Sequence, residues 1–283
     1  MLPSLLDNPN LASIKLIASD MDLTLLADDG RMPDHMYDRI RALRDAGIVF
    51  CPASGRASYT LRHMFQEVAD DIGYIADNGA SVFMGSCRLH TTLFDVSEYQ
   101  ELLRYTLEDG RGCPCVCGVE RCYLRREDQV FDDQFANYYV NRVYVDDLSQ
   151  VTADVNKYTV YFPDFTSEEA YANTYGPAWS SRYNVTNAGR DWIDFMKPGV
   201  DKGSGLLHLC EHLGIDISHA CAIGDTYNDI QMIREAGMGC VVANAEPHMH
   251  THASNVVPSN NEGGVAQVID AVLEAVGAPY RPA

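Results

Sequence analysis

Two aspartates, Asp20 and Asp22, stand one residue apart within an apolar run that begins at Ile14. Such a run is typical of a short strand buried on both faces of a parallel sheet, and the carboxyl ends of those strands form the ligand crevice of open α/β folds. Two carboxylates in one crevice repel each other by about 4 kcal/mol at ~4 Å and an effective dielectric near 20. A hard divalent cation such as Mg²⁺ would relieve that repulsion. The alternative is a turn or capping pair, since Asp is common in loops.

Polar side chains also stand at the ends of three other predicted elements: Ser54 after a strand, Lys202 in the first turn of a helix, and Asp225, Asn228 and Asp229 after a late strand. In a doubly wound sheet these ends lie along one edge, so residues about 200 positions apart can meet in one crevice. Four carboxylates and one lysine carry a charge of about −3, which Mg²⁺ would bring to about −1, so an anionic ligand would need the metal. This arrangement suits phosphoryl transfer, in which one aspartate attacks phosphorus and the other exchanges a proton with the leaving oxygen and with water.

Strands and helices alternate around these positions in the first and last thirds of the chain. Strands predicted at 14–19 and 48–53 flank a helix that begins near Pro33, and a strand at 220–223 follows the helix of Lys202. Such β-α-β units pair in parallel with right-handed crossovers. We therefore predict an α/β fold with a doubly wound, mostly parallel sheet as its core.

The sequence pattern differs in the middle of the chain, where strand and helix patterns are mixed and aromatic residues are frequent. We predict an inserted α+β cap domain at 83–196, within a discontinuous catalytic core formed by 1–82 and 197–283. Inside the insertion, the run 131–148 is expected to be mostly helical. The core resumes at Lys197-Pro198-Gly199, and the insertion would hang over the crevice.

The composition limits the partners. Lys and Arg number 21 against 40 Asp and Glu, a formal net charge of −19, which opposes contact with nucleic acid or anionic lipid. No apolar run approaches the length of a membrane span, and the first residues lack the basic lead and continuous apolar stretch of a secretion signal. We expect a soluble, cytoplasmic protein that acts on a small molecule, in an oligomeric state that the sequence does not define.

The nine cysteines are expected to be reduced thiols in this compartment. Four of them, Cys113, Cys115, Cys117 and Cys122, could hold zinc, but the alternation from 113 to 117 also describes one face of a strand. Alternating histidines at positions 248, 250 and 252 could attract a metal or lie in an exposed loop or short helix.

Taken together, four segments resemble the motifs of the haloacid dehalogenase superfamily, in the order of that family: Asp20-Met21-Asp22-Leu23-Thr24, Ser54-Gly55-Arg56, Lys202-Gly203 and Gly224-Asp225-x-x-Asn228-Asp229. Asn78-Gly79 before the long insertion resembles the Cof-like phosphatase branch, which has a large α/β cap. The resemblance covers nearly the whole chain. It implies a Mg²⁺-dependent phosphatase of small phosphorylated metabolites, such as a sugar phosphate or similar phosphomonoester, with an aspartyl-phosphate intermediate.

The resemblance also implies a role for each site residue. Asp20 would be the nucleophile and a metal ligand, and Asp22 the general acid and base that also binds Mg²⁺ through its main-chain carbonyl. The remaining roles would be phosphate binding by Ser54, Lys202 and Asn228, metal binding by Asp225, and orientation of water or of Lys202 by Asp229. The superfamily most often has Gly at the position of Leu23, so a different turn or a tighter roof over the nucleophile is expected there.

Two other functions fit the same residues. A phosphomutase would use this core but return the phosphoryl group to the sugar, and a phospho-ligand-binding protein would keep the fold without turnover. A second anionic group on the substrate could be bound by arginines of the insertion, for which the candidates are Arg125, Arg126, Arg142, Arg182 and Arg190.

Overall fold

The computed structural model describes residues 2–5 and 8–281. Its strands are β1 (Leu16–Ser19), β2 (Val49–Pro52), β3 (Gly73–Ala76), β4 (Ser81–Met84), β5 (Cys87–Thr91), β6 (Cys113–Gly118), β7 (Cys122–Arg125), β8 (Arg142–Val145), β9 (Val155–Tyr161), β10 (Asn184–Asn187), β11 (Trp192–Met196), β12 (Ala220–Gly224), β13 (Met238–Val242) and β14 (Asn255–Val257). Its α-helices are α1 (Met36–Asp45), α2 (Ser58–Met64), α3 (Val96–Asp109), α4 (Asp132–Tyr138), α5 (Ser167–Ala170), α6 (Gly176–Trp179), α7 (Lys202–Leu213), α8 (Ile230–Glu235) and α9 (Gly264–Ala275).

The core is a five-stranded parallel sheet in the order β14-β13-β12-β1-β2. Strand β1 lies between β12 and β2, and its side chains are apolar on both sides because helices cover both faces of the sheet. Ile17 packs into the cluster that contains residues of α1 and α9, whereas Leu16 and Ala18 pack with residues of α7 and α8. The predicted doubly wound sheet is confirmed.

The strand order reverses between β1 and β12, because the chain runs from β1 to β2 early and returns to β12 on the other side of β1. A crevice forms at the carboxyl ends of strands that diverge in this way. The sequence-predicted site residues therefore belong to the one edge of the sheet where a ligand can enter between two crossovers.

The insertion forms a six-stranded sheet in the order β10-β11-β9-β6-β7-β8, antiparallel except for β7 and β8. One face packs against α3 and the segment of α5 and α6, and the other against α4. The expectation of a mostly helical run at 131–148 was wrong in part. Arg142–Val145 is the edge strand β8, since its residues pair with β7 after the helix α4 has ended.

The antiparallel hairpin of β4 and β5 joins the core to the insertion. β4 pairs with β3, and a single parallel bridge between Ala53 and Ile75 connects β3 to the residue after β2. Because both hairpin strands extend the core side of the molecule, we propose that the cap begins after Thr91 and ends near Met196. Among the described residues, no helix is both long enough and apolar enough to span a bilayer.

Candidate active site

Three strand ends bring Asp20, Ser54 and Asp225 to the same edge of the core sheet. The last residue of β1, Ser19, is in register with β2 on one side and β12 on the other. Asp20 follows β1 directly, Asp225 follows β12 directly, and Ser54 lies two residues beyond β2. The backbone N–H of Asp20 donates to Ile223 at 2.9 Å, so the parallel ladder itself fixes the start of the site.

Lys202 reaches this edge from α7, where it is the first helical residue. The helix begins at an N-cap, Asp201, whose side chain accepts from the backbone N–H of Ser204 at 2.8 Å. This cap directs Lys202 inward. Its Nζ donates to Asp20 Oδ1 at 2.5 Å and to Asp229 Oδ1 at 2.6 Å, and its side chain is fully buried. The predicted meeting of distant carboxylates and one lysine is therefore observed.

Asp20, Asp225 and Asp229 form a buried group in which one carboxylate oxygen of each lies within 4.8 Å of the others. Burial foremost, opposed by Lys202 but helped by the neighbouring carboxylates, raises the pKa of Asp20 well above its usual value. Burial and the charge of Asp229 raise the pKa of Asp225 to about 7. The single positive charge of Lys202 does not balance the three carboxylates, so the group favours binding of a cation. Carboxylate oxygens are hard donors that suit a divalent cation such as Mg²⁺.

The loop after β12 holds the third carboxylate in place. Asp229 Oδ2 accepts from the backbone N–H groups of Asp225 at 3.0 Å and Thr226 at 3.2 Å, while its Oδ1 accepts from Lys202. Thr24, from the turn after β1, donates to Asp225 Oδ1 at 3.1 Å. Both oxygens of Asp229 therefore accept hydrogen bonds from protein groups.

Asp22 is not part of this close group of carboxylates. Its side chain is 52% exposed, and its Oδ1 accepts from Arg56 Nη2 at 2.7 Å. The next residue, Leu23, has φ 60° and ψ 6°, so it takes the left-handed conformation that glycine adopts most easily. Leu23 itself is 49% exposed.

Ser54 and Asn228 flank the carboxylates from the two neighbouring loops. The buried Ser54 Oγ accepts from the backbone N–H of Arg56 at 3.2 Å. Asn228 Nδ2 donates to Asn78 Oδ1 at 3.2 Å, and Asn228 Oδ1 is buried with no hydrogen-bond partner in the described chain. These two side chains are placed beside the carboxylate group without direct bonds to it.

Sequence reasoning missed the polar residues that the cap contributes. Lys157 on β9 donates to the backbone oxygen of Gly55 at 2.6 Å, and Asp194 on β11 accepts from Asn78 Nδ2 at 2.8 Å. Both charged side chains are buried. The signal was available, since a Lys and an Asp inside otherwise apolar strand sequences are as unusual as the Asp pair after β1.

The other candidate metal sites are explained by packing. Cys113, Cys115 and Cys117 lie on one face of β6 in a cluster with aromatic side chains, which is the arrangement that the strand interpretation predicts. The histidines at 248, 250 and 252 lie in and just after a short 3-10 turn. Among the described residues, only the three carboxylates of Asp20, Asp225 and Asp229 come close enough together to share an ion.

Comparison with known proteins agrees with this geometry. The family model described as haloacid dehalogenase-like hydrolase matches residues 17–269, from β1 to the middle of α9. The chain belongs to this family. The resemblance found in the four motifs is thereby confirmed, and the site lies where this hydrolase family model covers the chain.

Two relatives of this chain are named as phosphatases. The Escherichia coli protein named 5-amino-6-(5-phospho-D-ribitylamino)uracil phosphatase YbjI is 30% identical, over 93% of this chain and 97% of its own. The Bacillus subtilis protein YcsE, which is named for the same phosphatase activity, is 24% identical over 90% of this chain and 94% of its own. A solved structure from Streptococcus mutans has a TM-score of 0.81 at 25% identity and covers 92% of this chain and 99% of its own. The expected enzyme class, a phosphoric monoester hydrolase, agrees with these relatives.

Proposed function

We propose that this chain is a Mg²⁺-dependent phosphatase of small phosphorylated metabolites that acts through an aspartyl-phosphate intermediate. The observation that carries the proposal is the contact of Lys202 Nζ with Asp20 at 2.5 Å inside a buried group of three carboxylates. One lysine does not neutralise three carboxylates, so the site can bind an anionic substrate only if a cation supplies further positive charge. This family generally uses Mg²⁺.

In the first step Asp20 attacks phosphorus, and the bond from phosphorus to the leaving oxygen breaks. Asp22 gives a proton to that oxygen. Lys202, Ser54 and Asn228 hold the other phosphoryl oxygens, and Asn78 accepts from the Asn228 amide group and so positions it.

In the second step water attacks the same phosphorus atom, Asp22 takes a proton from that water, and the bond to Asp20 breaks. Phosphate leaves and both aspartates return to their starting states. Asp20, Asp225 and the main-chain carbonyl of Asp22 would hold the metal. When bound, Mg²⁺ would offset the negative charge of the carboxylates and the phosphoryl oxygens.

The charges of the cap favour a substrate with one anionic group. Four of the five candidate arginines are already paired with carboxylates within the cap: Arg125 with Asp128, Arg126 with Asp146, Arg142 with Asp132, and Arg182 with Glu101. Binding of a second phosphate by any of these four arginines would break such a pair in a strongly acidic protein. Sugar monophosphates and the ribitylamino-uracil phosphate for which two relatives are named are therefore the first compounds to assay.

The test is phosphate release from 4-nitrophenyl phosphate and from a panel of sugar monophosphates, with Mg²⁺ and with a chelator. Asp20→Asn should lower kcat by at least about 10³-fold, because the amide cannot form the covalent intermediate. The matched control is Asp29→Asn, the same chemical change at an exposed position paired with Arg31, which should keep wild-type activity. Turnover that persists in Asp20→Asn, or that ignores the chelator, contradicts the proposal.

A further inference from the structure

Arg56 lies between the candidate acid and base Asp22 and the cap. Its Nη2 donates to Asp22 Oδ1 at 2.7 Å, and its Nη1 donates to the backbone oxygen of Asn137. Its guanidinium carbon lies 4.7 Å from the centre of the Tyr138 ring. Arg56 is only 8% exposed, so these contacts define its position.

The Asp22 carboxylate forms an ion pair with Arg56. Within the described ranges 2–5 and 8–281, Arg56 is the only side chain or backbone group that hydrogen-bonds the Asp22 carboxylate. The carboxylate is otherwise half exposed and free to rotate about two side-chain torsions. A planar guanidinium that is already held on its other edge restricts that rotation.

The other edge of the guanidinium is held by the cap. Both of its cap contacts, Asn137 and Tyr138, lie at the end of α4. The same stretch is fastened to the core by Thr60, whose Oγ1 donates to the backbone oxygen of Tyr138 at 2.7 Å and accepts from the N–H of Val140 at 3.2 Å. The end of α4 therefore sits at a fixed place over the loop that carries Arg56.

We propose that Arg56 is a positioning residue that holds the Asp22 carboxylate within reach of the leaving oxygen, and does so only while the end of α4 is docked. This inference rests on the proposed phosphatase function. Arg56 would thereby link cap closure to proton transfer, so that the ester bond breaks efficiently only after the cap has covered the substrate.

The leaving group supplies a readout that loss of folding would not give. A 4-nitrophenolate leaves without a proton, whereas an alkoxide must be protonated as the bond breaks, and general acid catalysis contributes about 10²–10⁴-fold. We compare kcat/KM for 4-nitrophenyl phosphate and glycerol 1-phosphate, with saturating Mg²⁺. Arg56→Gln should lose about 10-fold or less on the aryl ester and about 100-fold or more on the alkyl ester.

A matched control and a double variant test whether Arg56 acts through Asp22. Arg62→Gln removes another arginine that donates to backbone oxygens, here of Ala69 and Gly85, but that does not contact Asp22, and it should affect both esters equally. In an Asp22→Asn background, Arg56→Gln should cause no further loss on the alkyl ester, because it acts through the missing carboxylate. An equal loss on both esters, or full additivity with Asp22→Asn, overturns the proposal.

Thr60→Val tests the link to the cap. The substitution removes both hydrogen bonds to the end of α4 with almost no change in side-chain shape. It should therefore lower kcat/KM for the alkyl ester about 3- to 10-fold more than for the aryl ester. An equal effect on both esters rules out the dependence on α4. If the wild type with Mg²⁺ hydrolyses neither ester nor any sugar monophosphate, the proposed function fails and not the role of Arg56 alone.

Discussion

Leu23 carries local backbone strain next to the candidate acid and base. At φ 60° a residue with a Cβ atom pays about 1–2 kcal/mol relative to its ordinary conformations. The backbone oxygen of Leu23 accepts from Asn244 Nδ2 at 2.8 Å, and its neighbour Thr24 binds Asp225, so contacts on both sides of the strained residue hold the turn. The strain is therefore tolerated because the turn also places Asp22 and Thr24.

Replacing Leu23 with glycine should raise the free energy of unfolding by about 0.5–1 kcal/mol. Glycine adopts positive φ without strain, although it loses more chain entropy on folding, which cancels part of the gain. The control is Leu23→Ala, which keeps the strain and removes the same exposed side chain, and which should stay within about 0.5 kcal/mol of the wild type. Urea unfolding measures the free energy of unfolding of the wild type and the two variants. Equal stability of the glycine and alanine variants would show that the backbone is not strained.

The site residues that could be predicted from the sequence are those whose place follows from a strand or helix end. Asp20, Asp225 and Lys202 meet because β1, β12 and α7 end or begin at one edge of the sheet, and that topology is readable from alternating elements. The partners of Arg56 could not be predicted in this way. They depend on how α4 docks on the core. The sequence patterns described the region of α4 poorly, since the neighbouring strand β8 was expected to be helical.

At the scale of elements, the turn Asp77–Gly79 sets the position of α7. Gly79 has φ 96°, and a Cβ atom there would stand 2.0 Å from the backbone oxygen of Asp201, the N-cap of α7. Asn78-Gly79 was identified in the sequence by its place before the insertion, but this close approach was not predicted, since Gly79 and Asp201 are far apart in the chain. The close contact ties the core end of the hairpin to the helix that supplies Lys202.

Gly79→Ala should therefore damage both stability and activity. The methyl group must push the start of α7 away, which we expect to cost about 3 kcal/mol or more of unfolding free energy and to lower kcat by moving Lys202. Gly47→Ala is the matched control, since Gly47 also has positive φ but has no atom within 4 Å of an added Cβ. It should lose only about 1 kcal/mol and keep its kcat. Similar losses in the two variants would contradict the proposed support of α7.

For the whole molecule, the cap meets the core through buried polar groups as well as apolar ones. Lys157 bonds Gly55, Asp194 bonds Asn78, and Asn156 Nδ2 donates to Asp77 Oδ2 at 2.7 Å. The sequence predicted that a cap exists, because the pattern of strands and helices changes in the middle of the chain. The contacts that dock it involve residues distant in sequence, so neither periodicity nor composition could specify them.

Asp77 should make the stability of this interface depend on pH. Burial foremost, with Lys157 and Asn156 opposing, raises the pKa of Asp77 to about 6, and its Oδ1 has no hydrogen-bond partner in the described chain. The folded state therefore holds the Asp77 proton more tightly than the unfolded state, whose pKa is near 4. The resulting stabilisation is fully present below about pH 4 and is lost as the pH rises through about 6.

Asp77→Asn removes this titration and should keep the hydrogen bond from Asn156 through the amide oxygen. Compared with the wild type, its free energy of unfolding should be similar at pH 4 and higher by up to about 3 kcal/mol at pH 8, with the difference developing between about pH 4 and 6. Urea unfolding across this range measures it. Asp164→Asn, at an exposed position of the cap, controls for the change in net charge. A constant difference between Asp77→Asn and the wild type from pH 4 to 8 would mean that Asp77 is not the group whose ionisation weakens the docked cap.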